Sequence, residues 1–244
     1  MSGECEDSEK IVAKGQKEDE GKRIGVRRFD IIPLVEGRRG ENVTDTSSVS
    51  LIRTSTSTVV VDSGSSDIKE ELKEAIHEKG IQVERVNVLV TTKAHELHTG
   101  NDGLFVHALQ HLQKDDWTKV EGSNKRKIAI SNRYHWIDRY LRLQTLSFIE
   151  GGALVLLCHM PNNPELLEPT SRYLTGKMVL FAGYAVPSKD DPTVDEALSK
   201  IREQNICSTN NPGEFFTDLT DLLSYCDHVI PAYGPMFKVR NGEE

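Results

Sequence analysis

The feature of this sequence that most constrains its fold is an apolar strand followed by a short histidine loop. Residues 86–90, Val-Asn-Val-Leu-Val, have the β-branched and apolar character of a buried strand. The loop at residues 92–101 has the sequence Thr-Lys-Ala-His-Glu-Leu-His-Thr-Gly-Asn. Two imidazoles three positions apart, His95 and His98, fit the start of a metal site, since loops at sheet ends hold such ligands rigidly. Such a pair alone is more often two surface histidines than a pair of metal ligands, so its meaning depends on the rest of the chain.

The bulk composition is that of a globular chain. It has 244 residues, of which 37% are hydrophobic and 28% charged, enough for one large core or two small ones. No apolar run approaches the roughly 20 residues that a membrane helix needs, and residues 1–10 lack the pattern of a secretory signal. The cysteines at positions 5, 158, 207 and 226 have no C-x-x-C spacing, which favours reduced thiols in the cytoplasm, with the nucleus as an alternative. The net charge of -8 disfavours nonspecific nucleic-acid binding.

A charged tail precedes a long series of strands and helices. Residues 1–27 are rich in Glu, Lys, Asp and Gly without an apolar period, which predicts a flexible tail, and residues 241–244 form a second one. Apolar runs predict further strands at residues 29–35, 49–53, 58–62, 127–130, 145–149, 153–157, 177–182 and 228–231. Helical spacing predicts helices at residues 68–79, 103–112, 194–204 and 214–223. Together they favour one layered α/β domain over residues 28–240.

The histidine loop resembles the Thr-His-x-His-x-Asp-His-x-Gly-Asn loop of the metallo-β-lactamase superfamily. The matching residues are Thr92, His95, His98, Gly100 and Asn101. Lys93 replaces the first His of that loop, and Leu97 replaces its Asp. In active relatives the Asp binds metal and orients the attacking hydroxide, and an isobutyl side chain can do neither.

Further landmarks of that superfamily follow in the same order along the chain. Asp62 ends a Val-Val-Asp-Ser-Gly stretch that resembles a strand ending in Asp-Thr-Gly, whose Asp supports the metal loop. His159, in Leu-Cys-His-Met, resembles the third His of a Pro-Gly-His-Thr segment. Tyr184 replaces the metal-bridging Asp of an Ala-Gly-Asp segment, and Tyr233 replaces the His of a closing Val-Pro-Gly-His-Gly-Pro-Pro-Phe segment.

The resemblance spans about residues 29–240 and implies an αββα sandwich. It is closest to the metallo-β-lactamase domain-containing protein 1 subfamily, on the closing segment and on the Gly-Asn-Asp-Gly-Leu-Phe sequence that follows the histidine loop. Active members of that subfamily are metal-dependent hydrolases, including an RNA-cleaving role. The expected arrangement brings Asp62, both loop histidines, His159, Tyr184 and Tyr233 into a single cleft.

Of the metal-ligand positions that the resemblance assigns, only His95, His98 and His159 still carry a histidine. A catalytic zinc needs three protein ligands and an open position, so a two-zinc site is not expected. The resemblance therefore implies a divergent protein without a cofactor that binds a small molecule or a protein. The alternative is a hydrolase of esters or RNA phosphodiesters that uses one zinc ion held by these three histidines.

The replaced positions leave three interpretations of the cleft open. An ammonium at Lys93 repels a nearby cation and supplies fixed positive charge in its place. Tyr184 and Tyr233 can hydrogen-bond one another, Lys93 or a bound anion. The first interpretation is a collapsed cleft filled by residues that have changed without a functional role. The second is a pocket for an anion or small ligand, and the third is a rearranged single-metal site.

Two weaker features concern partners. Basic and aromatic residues alternate in one stretch and comprise Lys125, Arg126, Lys127, Arg133, Tyr134, Trp136, Arg139, Tyr140 and Arg142. Such a stretch is either an RNA-contacting surface or a solvated face with a few packed aromatic rings. His107 and His111 lie four positions apart on a predicted helix but lack a third ligand or a Glu base, which indicates a structural role. A homodimer is a further alternative, and no membrane partner is expected.

Overall fold

The structure, a computed structural model, describes residues 28–120, 126–203 and 216–240. The tails predicted at residues 1–27 and 241–244 lie outside the described residues. The first sheet contains β1 (Asp30–Val35), β2 (Val49–Arg53), β3 (Thr58–Val61), β4 (Val88–Val90), β5 (Leu109–Gln113) and β6 (Lys127–Ile130). The second contains β7 (Tyr134–Trp136), β8 (Leu141–Leu146), β9 (Ala153–His159), β10 (Met178–Gly183), β11 (His228–Pro231) and β12 (Phe237–Lys238). The helices are α1 (Lys69–Glu78), α2 (Glu96–Thr99), α3 (Pro192–Glu203) and α4 (Leu219–Ser224).

Each sheet has six strands in the order of the chain or its reverse. The first has the order β1-β2-β3-β4-β5-β6, antiparallel up to β3 and parallel from β3 to β6. The second has the order β12-β11-β10-β9-β8-β7 and is antiparallel except for the parallel pair β10 and β11. The parallel neighbours β3 and β4 are joined through α1, as a parallel pair requires a crossover connection.

The two sheets pack face to face, and helices cover both outer faces. Successive side chains of a strand point to opposite faces, so Leu154 and Leu156 of β9 join the core between the sheets. Val155 and Leu157 of the same strand point outward and pack with the apolar sides of α3 and α4. Outward residues of the first sheet pack in the same way on α1. The αββα sandwich implied by the sequence is therefore confirmed.

Helix α1 shows how local sequence alone places an element. Its buried residues, Leu72 and Ile76, lie one turn apart and face the first sheet. Gly80 follows with a φ of 64°, a left-handed conformation that glycine adopts without steric cost and that ends helices. This agrees with the helix predicted over residues 68–79.

The helix predicted at residues 103–112 is wrong. The segment is a short 3₁₀ helix, Asp102–Leu104, followed by the strand β5. This strand pairs in parallel with β4 on one side and β6 on the other, so its backbone groups are satisfied along both edges. Gln110 and His111 are both buried although they point to opposite faces, which a one-sided helix would not allow. Pairing with two neighbours outweighs the helical spacing.

The strand predicted at residues 145–149 is displaced along the chain. β8 ends at Leu146, and residues 147–152 form the turn into β9. Gly151 and Gly152 adopt φ values of 66° and 67° within that turn. The turn, rather than a strand, therefore lies beside the histidine loop.

The two late helices differ in how well their ends were predicted. α3 buries Val194, Ala197, Leu198 and Ile201, the predicted apolar side, and position 204 of the prediction lies outside the described residues. α4 begins at Leu219 rather than at residue 214, because the Asp218 side chain caps it by accepting a hydrogen bond from the Asp221 amide. Within the ranges that the structure covers, the helices are too short or too polar to span a membrane.

Candidate functional site

A buried carboxylate anchors the histidine loop at the end of β4. The Asp62 side chain accepts hydrogen bonds from the Thr92 amide at 2.8 Å and from the Thr92 hydroxyl at 2.7 Å. His98 Nδ1 lies 2.8 Å from Asp62 Oδ2, and both side chains are 1% exposed. A carboxylate only accepts, so Nδ1 carries the proton in this hydrogen bond and Nε2 is the nitrogen left for other partners. Asp62 thus holds both the start of the histidine loop and the His98 ring in place.

A second buried carboxyl lies beneath the loop. Asp102 is hydrogen-bonded through Oδ1 to the Ser63 hydroxyl at 2.7 Å and through Oδ2 to Gln110 Nε2 at 2.7 Å. Burial raises the pKa of Asp102 to about 7, and the hydrogen bonds from Ser63 and Gln110 oppose that rise. When protonated, the carboxyl can donate to the Ser63 oxygen, which lies 3.3 Å from the His98 carbonyl. The acid therefore fits its site in the neutral form.

The raised pKa of Asp102 predicts a specific dependence of stability on pH. Between its ordinary value of 3.8 and about 7, the folded state keeps a proton that the unfolded chain releases. The free energy of unfolding should therefore fall as pH rises through this window, by up to about 4 kcal/mol from this group, and stay level above it. Urea unfolding of the wild type and of Asp102→Asn at pH 5 to 8 measures the difference between the two slopes.

The Asp102→Asn variant should lack this part of the slope, because an amide does not titrate. The exposed Asp67 provides a matched control, and Asp67→Asn should keep the wild-type slope. Parallel curves for the wild type and Asp102→Asn would show that Asp102 is ionised throughout the folded state, contrary to this prediction.

Lys93 connects the histidine loop to the turn between β8 and β9. Its ammonium donates hydrogen bonds to the carbonyls of Gly151 and Gly152 and lies 5.5 Å from the centre of the Tyr184 ring. The side chain is buried, with 8% of its surface exposed. The start of β9 is held to the same loop, since the Leu154 amide donates to the Thr92 carbonyl at 2.9 Å. A side-chain cation thus links two loops directly.

His159 does not join the other predicted ligands, and its assignment to the cleft is wrong. It pairs with Met178 at the far end of β9, whereas the near end of that strand contacts Thr92 through Leu154. At about 3.3 Å per residue, His159 begins roughly 16 Å from Leu154 along the strand. Its neighbours are the rings of Trp136 and Tyr225 instead. Of the residues expected in one cleft, His98, Tyr184 and Tyr233 line the same cavity. Asp62 lies behind His98, and His95 is exposed beside it.

Phe148 and Ile149, which the sequence did not single out, lie beside His98. A third metal ligand next to the histidine loop would have to come from this turn. The β8–β9 turn carries them into a cavity of about 440 Å³ beside His98. The residues that line this cavity are Arg39, His98, Phe148, Ile149, Tyr184, Ala185, Pro187, Thr193, Leu219, Ala232 and Tyr233. The Gly151-Gly152 pair, which forces a turn before β9, was the sequence signal for this placement. We call this space the His98 cavity.

The donor set around the His98 cavity does not fit a zinc site. Leu97 and Ile149 offer no ligand atom, and Tyr184 and Tyr233 stand where an Asp and a His are expected. His95 is exposed, its Nδ1 accepts the Leu97 amide at 3.3 Å, and its ring centre lies 6.2 Å from that of His98. Nowhere in residues 28–120, 126–203 and 216–240 do three or more His, Cys, Asp or Glu side chains form a group that could hold a metal ion.

Arg39 and Tyr233 form the polar rim of the His98 cavity. The Arg39 guanidinium lies 5.6 Å from the centre of the Tyr233 ring. Burial raises the pKa of the Tyr233 phenol, and the positive charge of Arg39 opposes the rise. The same two residues also line a second cavity of about 600 Å³, which includes Lys189 and Met236. The two cavities therefore meet at Arg39 and Tyr233.

The basic and aromatic stretch does not form one continuous surface. Arg142 is buried, with 1% of its surface exposed, whereas Tyr134 and Trp136 are 44% and 42% exposed. Arg139 stacks on Tyr140, with its guanidinium carbon 4.5 Å from the ring centre. Position 125 lies outside the described residues. RNA contact at this stretch stays a prediction that the structure does not test.

Known structures share this architecture. A Thermotoga maritima protein assigned to the metallo-β-lactamases superposes with a TM-score of 0.61 at 16% identity, over 86% of this chain and 99% of that one. The metallo-β-lactamase SMB-1, bound to 2-mercaptoethanesulfonate, gives 0.51 at 13% identity, over 85% of this chain and 81% of that one. No family model and no curated protein matches the sequence. The likeness establishes the fold: this chain has the metallo-β-lactamase fold.

Proposed function

We propose that this chain is a binding protein on a metallo-β-lactamase fold and does not carry out zinc-dependent hydrolysis. Its His98 cavity takes a small, mostly apolar molecule that carries an acidic group. The observation that supports this most directly is the composition of the cavity wall. His98 is its single imidazole, and Phe148 and Ile149 face it from the β8–β9 turn.

The size and lining of the cavity determine the class of ligand. Its volume of about 440 Å³ lies within the range of small-molecule sites, about 300–1,000 Å³. Most of the wall is apolar, and the polar groups are His98, the two tyrosine hydroxyls, Thr193 and Arg39. A guanidinium at the rim is suited to a carboxylate or another oxyanion.

Lys93 holds the β8–β9 turn in place beside this cavity and does not itself contact the ligand. Its ammonium already donates to the Gly151 and Gly152 carbonyls, which holds the turn that carries Ile149. The same positive charge opposes capture of a metal cation in the cleft. A single-zinc hydrolase would need a third ligand near His95 and His98, and His159 lies at the other end of β9.

A cytoplasmic setting belongs to the same proposal. Cys158 and Cys226 are both free thiols, and both are completely enclosed by the protein. Burial raises the pKa of each thiol, so neither is prone to oxidation. Free thiols without a disulfide framework are typical of reducing compartments.

Ligand binding is tested by the effect of octanoate, a small apolar carboxylate, on the melting temperature. We expect a saturable rise for the wild type, because a ligand that binds only the folded state stabilises it. Tyr184→Ala should reduce the rise, since this tyrosine lines the cavity. Tyr173→Ala is the matched control, because Tyr173 is a 62% exposed tyrosine outside the cavity and its loss should leave the rise unchanged.

Metal content and turnover decide between binding and hydrolysis. Protein purified without added zinc should contain well under one zinc ion per chain and should not hydrolyse a generic ester above background. Chelator-sensitive hydrolysis that His98→Ala abolishes would overturn the proposal and establish the hydrolase alternative. If octanoate raises the melting temperature of Tyr184→Ala as much as that of the wild type, octanoate binds outside this cavity.

A further inference from the structure

Four side chains on the outer face of the second sheet form a closed group outside the His98 cavity. The guanidinium carbon of Arg142 lies 5.8 Å from the centre of the Trp136 ring and 5.7 Å from that of Tyr225. The ring centre of His159 lies 6.2 Å from that of Trp136 and 6.5 Å from that of Tyr225. Arg142 and His159 therefore each lie beside both aromatic rings, those of Trp136 and Tyr225. We call this group the Arg142 cage.

The strand pattern explains why these residues share one face. Leu141 and Leu143 of β8 belong to the core between the sheets, so Arg142 between them points outward. His159 points outward for the same reason, because Cys158 beside it faces that core. The β7–β8 register pairs Trp136 directly with Arg142, and Tyr225 follows α4, which packs on this face.

The Arg142 cage holds buried positive charge without a counter-ion. Arg142 is 1% exposed, and its Nε and Nη1 have no hydrogen-bond partner. His159 Nε2 is likewise buried without a partner. Burial lowers the pKa of Arg142, and the charge and hydrogen bond of the Tyr225 phenol oppose that fall. Burial together with the Arg142 charge lowers the pKa of His159. Among the residues that the structure covers, no carboxylate forms an ion pair with Arg142.

A buried guanidinium with two unpaired donors is costly. Burial removes the hydration of the charged group, and leaving buried donors unpaired adds to that cost. The Trp136 and Tyr225 rings and the hydrogen bond with the Tyr225 phenol recover only part of it. The remaining deficit is removed when an anion accepts hydrogen bonds from the free donors.

We propose that the Arg142 cage binds the oxyanion, a carboxylate or a phosphate, of a small compound with a planar aromatic ring. A guanidinium forms its strongest hydrogen bonds with carboxylate and phosphate oxygens, and His159 Nε2 supplies a further donor when it carries the proton. Trp136, at 42% exposed, offers a ring face on which the planar group stacks. This site is separate from the His98 cavity, which is lined by Phe148 and Ile149 of the turn before the opposite end of β9.

The fluorescence of Trp136 reports on this site directly. The chain has two tryptophans, so Trp117→Phe leaves Trp136 as the single reporter. This variant is titrated with inorganic phosphate, benzoate and adenosine monophosphate. We expect a saturable change with at least one ring-bearing anion, at a Kd about tenfold or more below that of inorganic phosphate. Benzoate and adenosine monophosphate distinguish an aromatic carboxylate from a nucleotide phosphate as the preferred source of the oxyanion.

Variants in the same Trp117→Phe background assign the response to the cage. Arg142→Met should weaken binding at least about tenfold, equivalent to about 1.4 kcal/mol. His159→Gln should weaken it less, because it removes one neutral donor. Arg139→Gln is the matched control, since Arg139 stacks on Tyr140 outside the cage, and it should bind like the parent.

The proposal is overturned if none of the three anions gives a saturable response, or if Arg142→Met responds like the parent. If Arg142→Met does not fold, the proposal is overturned when His159→Gln binds the ring-bearing anion as tightly as the parent. A rise in melting temperature with phosphate that is equal in all variants is a general salt effect and counts against the site. The octanoate experiment on the His98 cavity is independent of each of these outcomes.

Discussion

Replacing Asp62 with alanine is expected to lower the free energy of unfolding by about 3–5 kcal/mol. The change removes the acceptor of three buried donors, the Thr92 amide, the Thr92 hydroxyl and His98 Nδ1. Each is enclosed in the protein, so water cannot replace the lost carboxylate at little cost. Urea unfolding at one pH measures the loss, and the His98 ring should also lose its fixed orientation.

Two further variants make this test specific. Asp190→Ala removes an exposed carboxylate and should change the free energy of unfolding by less than about 0.5 kcal/mol. Asp62→Asn keeps one acceptor for the Thr92 amide and should fall between the wild type and Asp62→Ala. NMR of the His98 ring nitrogens follows the tautomer, which Asp62 holds with the proton on Nδ1. A loss below about 1 kcal/mol in Asp62→Ala would contradict the anchoring role.

The double variant Lys93→His/Ile149→His is expected to bind one zinc ion per chain, at least about 100-fold more tightly than the wild type. The Lys93 side chain reaches the β8–β9 turn, and Ile149 on that turn shares a cavity with His98. The two new imidazoles then join His95 to give three protein ligands, the number that a zinc site with one open position uses. Removal of the Lys93 ammonium also removes the repulsion of the cation. Zinc titration with a competing chelator measures the affinity.

A single variant and a control variant distinguish residue 149 from His159 as the position of the third zinc ligand. Lys93→His alone should remain weak, because His159 lies at the far end of β9 and cannot complete the site. Lys93→His/Ser147→His is the matched control, since Ser147 is an exposed residue of the same turn and does not line the cavity. Tight zinc binding by Lys93→His alone would restore His159 as a ligand and refute the assignment of Ile149.

Local sequence was sufficient wherever an element's own residues decide its conformation. The apolar run before the histidine loop predicted the strand β4, and the residues of α1 and α3 predicted which of their faces are buried. The family resemblance proposed Asp62 as the carboxylate behind the loop, and Asp62 directly follows β3, which pairs with β4. In these cases the pattern in sequence and the contact in space involve the same few residues.

The segment at residues 103–112 shows where such patterns fail. Its apolar spacing is compatible with a helix, and only the availability of β4 and β6 as partners makes β5 a strand. The residues of this segment do not indicate that β4 and β6 will lie on either side of it with edges free to pair. Parallel pairing is a long-range property, and pairing with β4 and β6 satisfies the backbone groups of β5 along both edges.

The position of His159 depends on the same kind of long-range information. A His near the end of an apolar run looks like a ligand at a sheet edge, but a strand has two ends and the sequence does not say which one faces the histidine loop. The structure shows that the start of β9 does, through Leu154 and the Lys93 contacts with Gly151 and Gly152. Phe148 and Ile149 therefore enter the cavity and His159 does not.

The sequence by itself determined the layered α/β fold and the strand that leads into the histidine loop. It also contains Lys93, Leu97, Tyr184 and Tyr233 at positions where the resemblance implies metal ligands. Those features depend on residue types and on order along the chain, both of which a sequence contains. Only the tertiary structure decided which turn completes the His98 cavity and that Arg142 and His159 each lie beside the rings of Trp136 and Tyr225. Both depend on strand direction and register, which are set by hydrogen bonds between segments far apart in the chain.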